Sequence, residues 1–265
     1  MKTRFGDINI VGNVENKGSV IGPQEFALTV TVGTNGDFPT INSALTELSR
    51  KYPVYKHGGF SVQVRLLAGY VMNEYVNVNS VDMSWITITG EDAETTIVRS
   101  VILTMGAFYV AMGGKLPRIG QLFNMDSSGV GTNRHGIFLN RGGFVHVDAN
   151  CGVKNAGGNG LFVSAGSNAI ARDTIFTGAG IRGVQLGFSS IADVTGINAS
   201  GAGVDGILAS YGSIIVARAA NARKGATDST TDIRVLDLSF IDATSSIGGV
   251  SQTAGTYTTH GMIRK

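Results

Sequence analysis

Between residues 136 and 251, apolar and polar positions alternate in short runs that return at a nearly fixed interval. Blocks open at Gly136, Gly160, Gly183 and Gly206, at spacings of 24, 23 and 23 residues, and a fifth opens at Asp232, 26 further on. The same two offsets after each glycine are apolar: Ile137 and Leu139, Leu161 and Val163, Val184 and Leu186, Ile207 and Ala209. A period of two is that of a strand, whose side chains point alternately to its two faces. Each block holds a second β-prone run (144–147, 169–171, 191–194, 214–217) and usually a third near Val153, Ile175, Ile197 and Ala219. Gly, Asn, Ser and Asp separate the runs, as residues that tolerate turn and left-handed conformations should. A repeat of this length belongs to units that bury their apolar faces only by stacking. The pattern predicts an all-β chain: a right-handed parallel β-helix with three short strands per coil. A leucine-rich repeat would need a dense Leu/Asn pattern and a calcium-binding nonapeptide array would need GGxGxDxUx; neither occurs.

If offsets 1 and 3 point inward, offset 2 points outward. That column carries Phe138, Phe162, Gln185 and Leu208. An outward apolar column predicts a cover, most simply another copy of the chain, so Phe138, Phe162 and Leu208 are candidate interface residues. At offset 5, Phe188 and Tyr211 fall on adjacent coils, close enough to form a stabilising ladder or a platform for sugar rings. Asn198 and Asn221, also one period apart, form either a polar ladder or a pair of hydroxyl-binding amides. These four are the candidate glycan-binding residues.

Upstream the pattern changes. Residues 1–25 are polar and punctuated by Gly6, Gly12, Gly18 and Gly22, and are expected to form an attachment or oligomerisation segment or a plain tail. A second region, 26–130, opens with a strand ending at Val32 and then a helix with Ile41, Ala44, Leu45 and Leu48 on one face. Asp37 or Thr40 suits its N-cap, Pro39 its first turn and Pro53 its end. A helix before the first coil covers the otherwise exposed end of the stack. Another strand is expected over 60–67, and the regular coils with a short tail fill 131–265.

Three stretches in this order, VGTNGDFPTINSALTEL, VQVRLLAGYVMNEYVNVN with Gly69, Tyr70, Glu74 and Val76, and ITITGEDAETTIV, resemble the opening of the pectin-lyase-like superfamily. That superfamily includes pectin methylesterases and the β-helical spikes and fibres of tailed bacteriophages, and the glycine-rich coils from Gly136 onward are closer in character to the phage proteins. The resemblance implies a helix-capped solenoid and a homotrimer. It further implies a virion surface fibre attached to another virion protein through its N-terminal segment and binding a bacterial surface polysaccharide. The tail from Gly255 is too short for the chaperone or β-domain that many spikes carry there.

Composition narrows the chemistry. The 265 residues include 38 Gly but only 4 Pro, with 15% charged and a net charge of +2 spread without basic runs, which speaks against nucleic acid as a partner. One cysteine, Cys151, and four scattered histidines (His57, His135, His146, His260) offer no metal-ligand spacing, and no cofactor motif occurs. The first twenty residues lack an apolar leader core, and the longest apolar run, 101–112, is too short to span a bilayer, so assembly in a host cytoplasm and no membrane insertion are expected. Methylesterase chemistry needs two aspartates on adjacent coils. The stretch Arg172 to Gly178 resembles the family's first aspartate motif, but the second is missing and the only tryptophan, Trp85, lies far upstream. A depolymerase would need a carboxylic acid and a carboxylate at a set separation. Asp148, Asp173 and Asp193 are the first candidates, followed by Asp205 and Asp242, and their offsets of 12, 13, 10, 22 and 10 form no clean ladder. Three readings follow: a polysaccharide-binding fibre without enzymatic activity, a depolymerase on the same fold, and a structural virion connector.

Overall fold

The computed structural model describes residues 28–50, 62–91, 96–98, 106–120, 124–126, 134–223, 232–246 and 262–264. Strand β1 (Leu28–Val32) leads to helix α1 (Ile41–Ser49). Full coils follow: β2 (Val62–Leu66), β3 (Val71–Met72) and β4 (Val76–Asn79); β5 (Ile86–Gly90), β6 (Thr96–Val98) and β7 (Phe108–Ala111); β8 (Arg118–Ile119), β9 (Asn124–Asp126) and β10 (Ile137–Leu139). The next is β11 (Phe144–His146), β12 (Gly152–Lys154) and β13 (Leu161–Val163). Later coils have two named strands: β14 (Asn168–Ile170) and β15 (Arg182–Leu186), β16 (Ile191–Asp193) and β17 (Asp205–Ala209), β18 (Ile214–Val216) and β19 (Ile233–Val235). The last described pieces are β20 (Phe240–Asp242) and β21 (Met262–Arg264).

Every named pairing is parallel and joins one coil to the next, so the described residues form a parallel β-helix with three sides. On the first side the order is β1-β2-β5-β8, continued through the Ile119 to Val147 bridge into β11-β14-β16-β18-β20-β21. The third side is β4-β7-β10-β13-β15-β17-β19. The second side, β3-β6-β9-β12, narrows in later coils to single bridges from Gly152 through Ile175 and Asn198 to Asn221. There the expected third run shrinks to one residue per coil, and Ala219, expected in a strand, is a corner residue at φ +51°.

The predicted helix face is the buried one: Ile41, Ala44, Leu45 and Leu48 are at most 4% exposed. Thr40 is the N-cap, its hydroxyl accepting the Ser43 N–H, while Asp37 turns back to accept the Thr31 N–H and hydroxyl, which hold its carboxyl below the usual range. Two further donors at the helix start, the Ile41 and Asn42 N–H groups, reach the Glu74 carboxylate at 2.6 and 2.9 Å. Glu74 thus sets a negative charge at the positive end of α1 and ties the cap to the first coil. Tyr70 donates its hydroxyl to the same carboxylate; its burial and the nearby negative charge raise its pKa. The residues 1–25, Pro53 and the tail other than Met262–Arg264 lie outside the described residues.

Corners repeat as faithfully as strands. Between the third and first sides, Met112, Arg141, Ala165, Phe188, Tyr211 and Asp237 occupy equivalent positions with φ between +49° and +56°. Two residues later, Ser167, Ser190, Ser213 and Ser239 form a column at most 2% exposed. Ser190 and Ser213 each donate their hydroxyl to the carbonyl three residues back, while the Ser190 and Ser213 N–H groups donate to the hydroxyls of Ser213 and Ser239 in the next coil. The ladder satisfies backbone groups that leave the sheet at a buried bend.

The glycines that open the blocks have a different cause. A Cβ on Gly206 would lie 2.2 Å from the Ala222 carbonyl oxygen, and one on Gly136 would lie 2.6 Å from that of Gly160. The chain enters the third side against neighbouring backbone, and only a residue without a side chain fits.

Candidate functional site

The aspartates come first, because catalysis would need them. Arg118 donates to Asp148 at 2.6 Å, Arg172 to Asp193 through Nε at 2.7 Å, and Arg218 to Asp242 through Nε at 2.9 Å. Each pair joins one coil to the next along the edge of the first side. The second oxygens of Asp193 and Asp242 accept the N–H and hydroxyl of Thr195 and Thr244, closing the corner two residues on. Asp205 pairs with Arg182 at 2.7 Å on the third side and is buried. Asp173 stands exposed on a left-handed corner at φ +54°, its carboxylate lying over Gly196 where a Cβ would otherwise be.

Burial alone would raise the Asp193 carboxyl, but the bonds from Arg172 and Thr195 outweigh it and hold it below the usual carboxylate range. For Asp242 the Thr244 hydroxyl and then Arg218 bring the value down to about 2. A general acid for glycoside cleavage needs the opposite, a carboxyl that keeps its proton near neutral pH. Asp193 and Asp242 are held ionised. His146, 3.7 Å from Asp148, is shifted down by burial and by Arg118 against the pull of Asp148.

Phe188 and Tyr211 form the expected ring pair, with centroids 4.6 Å apart and planes within 6°. Each is 54% exposed. Asn198 and Asn221 are bridged to each other on the second side, opposite the corner that carries the rings. The Asn198 Oδ1 accepts the Ser200 N–H and hydroxyl, and the Asn221 Oδ1 accepts the Arg223 N–H. The four candidate glycan residues therefore form two separate pairs.

On the third side, Tyr109, Phe138, Phe162, Gln185 and Leu208 are in register and point outward. Phe138 and Phe162 stack at 4.8 Å, Tyr109 lies 5.3 Å from Phe138, and the His135 ring covers both phenylalanines at 5.3 and 5.0 Å. His135 accepts the Asn159 N–H on Nδ1, and burial lowers its pKa to about 4, so the ring is neutral. Leu208 is only 3% exposed. This column is already partly covered by the chain itself, unlike the bare strip its outward direction suggests.

The bare strip lies elsewhere. Among the described residues, Met112, Ile170, Phe188, Ile191, Tyr211, Ile214, Leu238 and Met262 are on the first side or the corner leading to it; the other large exposed apolar residues are only Val71, Val81 and Val204. Ile191 pairs with Ile214, Ile214 with Phe240 and Phe240 with Met262, so part of the strip is a continuous column. Sequence reasoning missed it because both parities of these short runs are apolar. The available signal was the small residue in the middle: Ala169 and Ala192 face inward, leaving the isoleucines outside.

No helix among the described residues is long and apolar enough to cross a membrane, and no group of three His, Cys, Asp or Glu among them could hold a metal ion. Compared with protein-family models, characterised proteins and solved structures, the chain matches none.

Proposed function

We propose that this chain is the rigid body of a virion surface fibre or spike that binds a bacterial surface polysaccharide without cleaving it. The observation that carries the reading is a contrast between two sets of side chains. Asp148, Asp193 and Asp242 are engaged by arginines, while rings and aliphatic chains along one side are left bare. Such a surface suits assembly and binding better than acid–base chemistry. In this reading the isoleucine column packs copies side by side, most simply as a trimer. The ring pair at its margin contacts the polymer, and repetition along the axis multiplies weak contacts. The phage setting rests on the resemblance of the opening segments, and attachment through residues 1–25 to another virion protein is part of the same proposal.

Light scattering of the purified protein, followed by incubation with extracted surface polysaccharides and sizing of the products, tests it. The expected result is an oligomer that retains a polymer on a column and leaves its length unchanged. Ile191→Asp with Ile214→Asp should yield monomers, and Tyr211→Ala should weaken retention without changing assembly. Shortening of any polymer would establish a depolymerase instead. An oligomer that retains no polymer but holds another virion protein would establish the connector.

A further inference from the structure

Where helix α1 meets the first coil, a cavity of about 310 Å³ opens between the helix and strand β4. Its polar lining comes from two regular elements. Asn42, Thr46 and Ser49 lie at helical spacing on one face of α1, and Asn77 and Asn79 are alternate exposed positions of β4. Its apolar floor is Leu45, Val78 and Met83, each at most 6% exposed. Among the described residues, no charged one lines it.

The hydrogen-bonding capacity of this lining is largely unused within the chain. Asn42 donates one amide N–H to the Tyr75 carbonyl at 2.8 Å, which leaves its second N–H and Oδ1. The Ser49 hydroxyl donates to the Thr46 carbonyl and keeps its lone pairs. Asn77 and Asn79 make no side-chain hydrogen bond to any described residue, so each offers two donors and an acceptor. Neutral amides and hydroxyls that both donate and accept, above an apolar floor, complement a ring bearing hydroxyls on its rim and C–H groups on its face. Among the described residues, an anion would find no cation here, and a metal ion no carboxylate, imidazole or thiolate. The volume is at the small end for a ligand pocket and suits one or two sugar rings.

We propose that this cavity is a binding site for a neutral saccharide unit, a hexose or an N-acetylhexosamine, with Asn77 and Asn79 as its principal hydrogen-bonding residues. The site is separate from the Phe188–Tyr211 strip and does not rest on the polymer-binding reading.

Saturation-transfer NMR on the full chain with a panel of neutral and acidic monosaccharides tests the assignment. At least one neutral sugar should bind, and acidic sugars should bind more weakly. Asn77→Ala and Asn79→Ala should each weaken binding about tenfold, as expected for the loss of one or two hydrogen bonds. Both residues are exposed, so the thermal transition should stay in place. Thr46→Met, which fills the cavity from the helix, should abolish binding, and Tyr211→Ala should leave it unchanged. No transfer from any neutral sugar, tighter binding of an acidic one, or unchanged affinity in both asparagine variants would each overturn the proposal. If monosaccharide binding behaves as described while polymer retention through Tyr211 fails, only the polymer-binding reading falls.

Discussion

Replacing Gly206 with alanine should destabilise the coil stack through close backbone approach, without any change in backbone angle. The new Cβ would sit 2.2 Å from the Ala222 oxygen, where ordinary contacts begin at 3.4 Å, so the backbones must part by 3.4 − 2.2 = 1.2 Å. Ala222 cannot easily retreat. It is fully buried, and the preceding residue is held by Asn221 N–H to the Ile197 carbonyl and by Ala199 N–H to the Asn221 carbonyl, both at 2.7 Å. Overpacking of this kind costs about 1–3 kcal/mol, and strain in two buried backbone bonds places Gly206→Ala near the top of that range. A loss of about 3 kcal/mol corresponds to a fall in melting temperature of roughly 6–12 °C for a chain of this size. Gly166→Ala is the control: it has φ +70° but nothing within 4 Å of a Cβ, so it carries only the left-handed penalty of about 1–2 kcal/mol. Gly136→Ala, with its nearest carbonyl at 2.6 Å, should fall between them. Calorimetry of the three variants gives the order directly. If Gly206→Ala melts no lower than Gly166→Ala, the repeat does not select glycine for close approach.

Acid should weaken the fold in a defined window. The folded His135 value of about 4 lies below the ordinary 6.5, so the unfolded chain binds the extra proton, and stability falls as pH drops from 6.5 towards 4, by at most about 3 kcal/mol. Melting curves of His135→Gln should be flatter over that range. Asp242 acts lower, its contribution being complete above 3.8 and lost as pH approaches 2, and Asp193, also held below the ordinary carboxylate range, acts in the same direction. In Arg218→Met the Asp242 carboxyl should rise from about 2 towards 3.8, as followed by carboxyl NMR. Ser213→Ala leaves the buried Ser190 N–H and Ser210 carbonyl without this hydroxyl and should cost about 2 kcal/mol, seen as a shifted denaturation midpoint with an unchanged slope.

The coil repeat and the cap were legible because their causes are local. Alternation at Leu161 and Val163 and helical spacing at Ile41, Ala44, Leu45 and Leu48 each require one face to be buried. The capping role of Glu74 was hidden because it acts on backbone more than thirty residues upstream. Its neighbours Gly69 and Tyr70 were visible as a pattern without a physical role. Facing was harder in the three-residue strands. In Asn168–Ile170 and Ile191–Asp193 the alanine is inside, and size alone would have placed isoleucine there. Aspartate offsets gave no ladder because Asp148, Asp193, Asp205 and Asp242 are matched to arginines, at separations of 30, 21, 23 and 24 residues, and not to another aspartate. The helix–strand cavity joins Asn42 and Asn77, and no periodicity in either element points to the other.

The one-coil register between neighbouring strands has a mechanical consequence. Backbone bonds between coils run along the axis, so tension applied at one end loads the terminal coil alone and peels it before the next is disturbed. A blow across the axis must slide a whole coil over its neighbour, straining three sides and any arginine–aspartate brace at once. The body is thus stiff against bending and yields stepwise to pulling. Each 23-residue repeat should release roughly 80 Å of chain in a single-molecule extension trace.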